Sequence, residues 1–204
     1  MPNWHRVPWR LTHLDGPLQL SRLRRLYVLA THSHARVTIA PSAFLGPRFA
    51  LVIPDHGTLT IGEHVHFRRG FTCEISGDGR VTIGDRAIFT HDVLIQCTTS
   101  IDIGPDCILG QSCLVVDGDH RFRDPNSPIL AQGYDYKPVS IGAGTCITSK
   151  CSIIGANIGD RAFIGANSVV TKDVPSYCLA VGAPAKVVDY YGPPEQRPGW
   201  LELG

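Results

Sequence analysis

Residues 81–115 read VTIGDRAIFTHDVLIQCTTSIDIGPDCILGQSCLV, and this stretch decides the fold. A bulky apolar residue recurs in it at every sixth position. A period of six matches neither the 3.6-residue period of a helix nor the alternation of an ordinary strand. It predicts short strands joined by tight corners, with one bulky side chain per strand turned inward. The same spacing runs through five cycles of the chain, at Ile61, Phe67, Cys73, Ile83, Phe89, Ile95, Ile103, Leu109, Val115, Ile141, Ile147, Ile153, Ile158, Ile164 and Val170.

A second row lies four residues after the first and favours small residues. Its members are Val65, Ala87, Val93, Cys107, Cys113, Thr145, Cys151, Ala162, Ser168 and Val174. Three strands of this kind close one triangular coil, and stacked coils bury a continuous apolar column. Four cysteines in or beside the second row are therefore predicted to be small buried hydrophobes rather than nucleophiles or ligands. They are Cys107, Cys113, Cys146 and Cys151.

Composition agrees with a solenoid and excludes several classes of protein. The chain has 204 residues, with 21 glycines and 15 prolines, so helices cannot dominate it. At 43% hydrophobic residues it can bury a core and is not a disordered chain. Much of the glycine recurs at the second position of the six-residue units, where it is expected to turn the corners in backbone conformations that other residues resist. The net charge of +1 offers no general attraction to nucleic acid, and no nucleic-acid partner is expected.

The cysteine pattern and the chain ends bear on the compartment. Seven cysteines without a CxxC pair predict neither a disulfide framework nor a zinc ribbon. The first residues resemble no signal peptide, and no run of 18 uninterrupted apolar residues occurs, so a cytoplasmic protein is expected.

The N-terminal part of the chain is basic. Residues 1–36 carry six arginines against one aspartate, which indicates either a solvated helix face or contact with a membrane surface or an anionic ligand. Residues 17–31 place leucines at 20, 23 and 26 beside Tyr27, the spacing of a short amphipathic helix. Such a helix is predicted to cover the open end of the coils.

The six-residue units IGDRAI, FTHDVL, IGPDCI, LGQSCL, IGDRAF and IGANSV resemble those of the hexapeptide-repeat acyltransferases. The resemblance is to the maltose, galactoside and xenobiotic acetyltransferases in particular. It covers roughly residues 37–188 and implies an all-β fold, a left-handed parallel β-helix. Residues 1–36 are then an N-terminal extension with a short helix, and residues 189–204 a C-terminal tail. Cycles begin at 61, 83, 103, 141 and 158, and the longest step contains an excursion loop at about 117–138.

The excursion reads DGDHRFRDPNSPILAQGYDYKPV and contains His120. A histidine is suited to general-base work at neutral pH, and the resemblance implies that His120 removes the proton of the attacking hydroxyl. One nearby carboxylate is expected to orient the imidazole, and the sequence does not choose among Asp119, Asp124 and Asp135. Candidates for contact with the acceptor are Tyr134, Tyr136 and His91. The last of these lies outside the inward row and is expected to border a cleft between subunits.

Residues 164–188, IGANSVVTKDVPSYCLAVGAPAKVV, closely resemble the family's terminal signature, which grips coenzyme A. The resemblance implies that acetyl-CoA is the acyl donor and contacts Ser149, Ala166, Thr171 and Lys172. It also places Lys186 near the nucleotide phosphates, where a lysine serves as a point charge. A homotrimer with active sites between subunits is implied as well. No metal is expected, because the three histidine ligands of a γ-carbonic-anhydrase-type zinc site are absent.

These observations favour an acetyl-CoA-dependent O-acetyltransferase that acts on a hydroxyl of a sugar or a similar polyhydroxy acceptor. The first alternative is an N-acetyltransferase for an amino sugar or a nucleotide-linked amino sugar. The second is a β-helix scaffold without catalysis. The chain carries Cys146 and Thr148 where many members of the family carry tryptophan and glycine, so the resemblance does not fix the length of the acyl group.

Overall fold

Short parallel strands form three sheets, and consecutive strands pass from sheet 1 to sheet 2 to sheet 3 before the next coil begins. This computed structural model describes residues 16–199. Three charged residues of the basic N-terminal part, Arg6, Arg10 and Asp15, lie outside the described range, as does the end of the expected tail. The all-β solenoid predicted from the six-residue period is confirmed.

The strands are two to six residues long and have the following bounds. Sheet 1 contains β1 (Arg36–Ile39), β4 (Thr58–Ile61), β7 (Arg80–Ile83), β10 (Ser100–Ile103) and β15 (Val139–Ile141). Sheet 2 contains β2 (Phe44–Leu45), β5 (His66–Phe67), β8 (Ile88–Phe89), β11 (Ile108–Leu109), β16 (Cys146–Ile147), β18 (Phe163–Ile164), β20 (Cys178–Gly182) and β21 (Ala185–Tyr190). Sheet 3 contains β3 (Ala50–Val52), β6 (Thr72–Ile75), β9 (Leu94–Cys97), β12 (Leu114–Val116), β17 (Ser152–Ile154) and β19 (Val169–Val170). Outside the three sheets lie helix α1 (Gly16–Thr31), the pair β13 (Gly118–His120) and β14 (Tyr134–Tyr136), and two 3-10 turns at Ile129–Ala131 and Pro194–Gln196.

The core is the column that the two rows predict. All fifteen residues of the bulky row are at most 2% exposed, and all ten residues of the small row are at most 6% exposed. Coils stack in register, so that Ile61, Ile83 and Ile103 lie above one another in sheet 1. Each coil therefore shields the apolar side chains of its neighbours, as a solenoid requires.

Three of the four singled-out cysteines are buried, and the prediction for the fourth is wrong. Burial raises the pKa of the Cys107 thiol to about 11, so this group stays neutral at neutral pH. Cys146 is only half-buried. It lies between the inward-facing Thr145 and Ile147 and therefore points out of sheet 2, since side chains alternate along a strand.

The expected role of the repeated glycines also needs correction. None of the glycines at the second position of a unit has a positive φ; the left-handed conformation falls two residues later, for example on Arg86 and Asp106, both at φ 59°. A Cβ atom on Gly84 would lie 2.6 Å from the backbone nitrogen of Pro105 in the next coil. A Cβ atom on Gly104 would lie 2.8 Å from the nitrogen of Ala143. Glycine is required there because neighbouring coils approach too closely for any side chain.

Helix α1 packs against β1 and β2 at the first coil. The hydroxyl of Ser21 accepts a hydrogen bond from the backbone N–H of Leu45 at 2.8 Å, and the guanidinium of Arg24 donates to the carbonyl of Leu45 at 2.9 Å. Strand β2 is the last strand at this end of sheet 2. The helix thus supplies hydrogen-bond partners to backbone groups of this end strand. Without such cover, the open edge of a sheet would expose unpaired backbone groups.

The orientation of the helix is the reverse of what its leucine spacing predicts. Its buried residues are Ser21 and Val28. Leu20, Leu23, Leu26 and Tyr27 are 51%, 61%, 57% and 69% exposed, respectively. Polar bonds to β2, rather than burial of the leucines, decide which face meets the solenoid. Among the described residues, no helix has the length and apolar character needed to cross a bilayer.

Replacing Gly84 with alanine tests the close approach of the coils. We expect Gly84→Ala to lower the free energy of unfolding by about 2 kcal/mol, because the added methyl group overpacks against Pro105. Denaturant titration followed by circular dichroism measures the change. Gly199→Ala is the matched control, since nothing lies within 4 Å of that position. Equal losses in the two variants would contradict the explanation.

Candidate active site

The excursion leaves the solenoid where sheet 3 meets sheet 1 and folds into a hairpin. Strand β13 pairs antiparallel with β14, so that His120 lies opposite Tyr134 and Gly118 opposite Tyr136. The ring centroids of His120 and Tyr134 are 4.2 Å apart, and those of Tyr134 and Tyr136 are 5.7 Å apart. The structure therefore brings together the candidate base and two of the candidate acceptor residues.

A cleft of about 500 Å³ lies between this hairpin and the wall of sheet 3. His120, Tyr134 and Tyr136 line one side of it, and Glu74 and Gln96 line the other. The amide of Gln96 donates a hydrogen bond to the carboxylate of Glu74 at 2.8 Å. The cleft thus combines aromatic rings, hydrogen-bonding groups and an exposed imidazole. Within the described part of the chain, no group of three histidine, cysteine or acidic side chains is placed to hold a metal ion.

The three candidate carboxylates all have other partners. Asp119 accepts a hydrogen bond from the backbone N–H of His120 at 2.8 Å, and Asp135 accepts one from the guanidinium of Arg121 at 2.6 Å. Asp124 accepts the backbone N–H of Asn126 at 2.9 Å. Across residues 16–199, no carboxylate bonds to the imidazole of His120. Which carboxylate orients the ring therefore stays a prediction.

Sequence reasoning missed Asp117, which anchors the excursion. Its side chain is 1% exposed, and its carboxylate accepts the backbone N–H of Thr98, the backbone N–H of Thr99 and the hydroxyl of Thr99. The thiol of Cys97 lies 3.5 Å from the same carboxylate, and burial together with this negative charge raises its pKa to about 12. Alternation along β12 was the available signal, because Val115 points inward and position 117 must then do so too.

Asp117 also closes the base of the excursion. The backbone N–H of Lys137 donates to its carbonyl at 2.8 Å, where the returning chain rejoins the solenoid. The ammonium group of Lys137 pairs with Asp173 at 2.9 Å and holds the pKa of that carboxyl below its usual value. Both ends of the excursion are therefore fixed to the coils.

The remaining candidate residues divide between two corners of the solenoid. One corner, where sheet 2 meets sheet 3, contains His91, Gln111, Ser149 and Ala166. Backbone carbonyls of the first three accept hydrogen bonds from the next coil, so that they form one column. Lys186 lies beyond this column, on β21 opposite Val181.

Thr171, with Lys172 after it, lies at the corner of His120. It borders a smaller cleft of about 230 Å³ that is also lined by Asp119 and Asp135. The width of sheet 3 therefore separates His120 from Ser149 and Ala166 within one chain.

A solenoid of six-residue units with a histidine-bearing excursion and a cleft beside it is the architecture that the resemblance to hexapeptide-repeat acyltransferases implies. No protein-family model matches the chain. It is 37% identical over 184 residues to a protein of Mycobacterium tuberculosis named a probable acetyltransferase, covering 89% of this chain and 58% of that one. The chain thus spans well under two thirds of that relative's length.

Two further comparisons agree. The chain is 26% identical over 152 residues to an Escherichia coli protein named as a candidate O-acetyl transferase of lipopolysaccharide biosynthesis, covering 71% of this chain and 78% of that one. The crystal structure of a hexapeptide-repeat containing acetyltransferase from Vibrio cholerae is similar, with 26% identity, a TM-score of 0.52 and 72% of each chain covered. The chain is thus similar over most of its length to hexapeptide-repeat acetyltransferases, and its fold is the left-handed parallel β-helix.

The anchoring role of Asp117 can be tested with an isosteric change. We expect Asp117→Asn to lower the free energy of unfolding by about 2 kcal/mol, because an amide cannot replace the charge-assisted bonds to Thr98 and Thr99. Hydrogen exchange of the Thr98 and Thr99 amides should accelerate. Asp119→Asn is the control, since that carboxylate is exposed and accepts one backbone bond. Unchanged exchange in Asp117→Asn would refute the anchor.

Proposed function

We propose that the protein is an acetyl-CoA-dependent O-acetyltransferase acting on a hydroxyl of a sugar or a similar polyhydroxy acceptor. The observation that carries this proposal is the position of His120, on the excursion hairpin and at the edge of the 500 Å³ cleft. The acetyltransferase of Vibrio cholerae has also been crystallised with acetyl coenzyme A, in a structure with 22% identity and a TM-score of 0.56. A scaffold without catalysis would need neither the cleft nor the anchored excursion.

The proposed reaction is a direct acyl transfer in which His120 is the catalytic base. The acceptor hydroxyl lies in the cleft, and the imidazole takes its proton as the oxygen attacks the thioester carbonyl. Backbone N–H groups stabilise the oxyanion of the tetrahedral intermediate. When that intermediate collapses, the C–S bond breaks and the thiolate of coenzyme A takes the proton back from the imidazolium. Glu74, Gln96 and the two tyrosines offer the polar and aromatic contacts that a polyhydroxy molecule requires.

The acyl donor is proposed to lie along the column that contains Ser149 and Ala166. Both residues are exposed at the corner, so their backbones are open to a ligand. Lys186 is exposed at the end of this column, where its ammonium group would meet the phosphates. Thr171 and Lys172 lie at the opposite corner, beside His120, and would reach the donor from a second subunit.

A homotrimer with its active sites between subunits would join the two corners. The outer face of sheet 1 is polar, with Thr60, Thr82, Asp102 and Ser140 in one register. The outer face of sheet 2 instead has a largely apolar ladder, formed by Phe44, His66, Ile88, Ile108, Cys146, Phe163 and Leu179. Partial burial and the charge of Arg68 lower the pKa of His66, which favours its neutral form in this ladder. The Ser149 corner lies at one edge of this wall, so a neighbouring subunit that packed its His120 corner against the wall would complete the site.

We also place the activity in the cytoplasm. All seven cysteines are free, including neighbours in stacked coils such as Cys113 and Cys151. Unpaired thiols are the usual state in a reducing compartment. Cell fractionation with a tagged chain would test this part of the proposal.

Replacing His120 tests the base. We expect His120→Ala to lower kcat by a factor of about 10² to 10⁴ while coenzyme A still raises the melting temperature. Release of free thiol from acetyl-CoA measures turnover with a panel of sugars, nucleotide sugars and amino sugars. The control is His56→Ala, which removes an exposed histidine that does not line the cleft. Full turnover in His120→Ala would end the proposal, and preference for an amine acceptor would replace O-transfer with N-transfer.

The proposed trimer can be tested at the apolar ladder. We expect Ile108→Arg to give monomers, because it puts a charge at the centre of the wall of sheet 2, and to lose activity with the shared site. Light scattering should give three times the 22.2 kDa mass of one chain for the unchanged protein and that mass alone for the variant. Thr82→Arg, on the polar wall of sheet 1, should leave the assembly intact. A fully active monomer would contradict the arrangement.

A further inference from the structure

The N-terminal end of the solenoid presents an apolar stripe to its surroundings. On helix α1 the exposed side chains of Leu20, Leu23, Leu26 and Tyr27 follow one another on one side, about 120° wide at 100° per residue. No other segment of residues 16–199 covers them. Ser21, on the opposite side of the helix, accepts the backbone N–H of Leu45, and Arg24 donates to the carbonyl of the same residue, so the stripe is fixed in its outward orientation.

The same end of the molecule is strongly basic. Residues 16–54, which form the helix and the first coil, contain five arginines and no aspartate or glutamate. The rest of the chain has a net negative charge, because the whole protein carries only +1. Among the described residues, only one of the five arginines, Arg48, forms an ion pair, with Asp92 at 3.1 Å. The positive charge at this end is therefore largely uncompensated.

We propose that helix α1 docks the protein on the surface of an anionic membrane. A helix that lies in the membrane interface buries an apolar side at the boundary of the acyl chains, while basic residues beside it attract anionic headgroups. Leu23 lies at the centre of the apolar stripe and Leu26 at one edge, and Arg22 is exposed beside that edge. Arg36 adds a second exposed cation just after the helix. This inference is independent of the acetyl transfer proposed above.

Charge favours an anionic membrane over a second copy of the chain as the surface that helix α1 contacts. Two copies that met through helix α1 would bring two carboxylate-free ends with five arginines each into contact, and like charges oppose such an approach. An anionic lipid surface satisfies the apolar stripe and the arginines together. The attraction of the arginines should weaken as added salt screens it.

Vesicle flotation with the full-length protein tests the proposal. We expect binding to vesicles of phosphatidylglycerol and phosphatidylcholine in equal parts, and at least tenfold weaker binding to vesicles of phosphatidylcholine alone. The double variant Leu23→Glu/Leu26→Glu should lose at least tenfold in binding to the anionic vesicles. Both leucines are exposed, so the variant should keep its circular dichroism spectrum and melting temperature.

A matched variant controls for the two added negative charges. Leu130→Glu/Val188→Glu changes two other exposed apolar residues, 86% and 48% exposed, and should bind like the unchanged protein. Three results would overturn the proposal: no binding to anionic vesicles, equal binding to both kinds of vesicle, or full binding by Leu23→Glu/Leu26→Glu. Self-association that this variant abolishes, without vesicle binding by the unchanged protein, would assign the stripe to a second copy.

Discussion

The structure depends on the short distance at which successive coils stack. Backbone hydrogen bonds join each coil to the next, such as that from Gly84 N–H to the carbonyl of Ile103 at 2.8 Å and that from Gly104 N–H to Ile141 at 2.7 Å. Strands bonded in this way lie about 4.8 Å apart, which leaves no room for a side chain where a corner of one coil lies directly over another. Glycine therefore occupies the positions where the corners approach most closely, as at Gly84 and Gly104. The inward side chains, held at the same spacing, must form a continuous column.

This constraint explains why most of the fold could be predicted from the sequence. Each strand has one inward position and each turn has one corner position, and both repeat with the period of the backbone. The two apolar rows therefore predict the core directly. The function of glycine was misread, because its conformational freedom is a property of the single residue, whereas the close contact with Pro105 involves a different coil. The helix face was misread for a related reason. Its orientation depends on the bonds that Ser21 and Arg24 make to Leu45, which lies more than twenty residues away in sequence.

For the site, too, the sequence predicts local features but not the contacts between residues that are distant in sequence. The sequence singled out the excursion and His120, because the loop interrupts a strict repeat and is rich in polar residues. Alternation along the strand could have shown that Asp117 points inward, but not what it binds, because the N–H groups of Thr98 and Thr99 that it satisfies belong to the preceding coil. The carboxylate that was expected to orient His120 could not be chosen either. In the folded chain Asp135 pairs with Arg121 across the hairpin, whereas Asp119 and Asp124 accept local backbone bonds.

A stack of triangular coils has convex walls, and this geometry decides where chemistry can occur. A cleft requires a second surface, which the excursion supplies at one corner by standing away from sheet 3. The other corner, with the exposed residues Ser149 and Ala166, has no comparable partner within residues 16–199. A site that needs both corners can be completed only by another molecule, because the rigid ladder of coils cannot bend to bring them together. The repeat that makes the fold stable is thus also the reason why catalysis is proposed to depend on assembly.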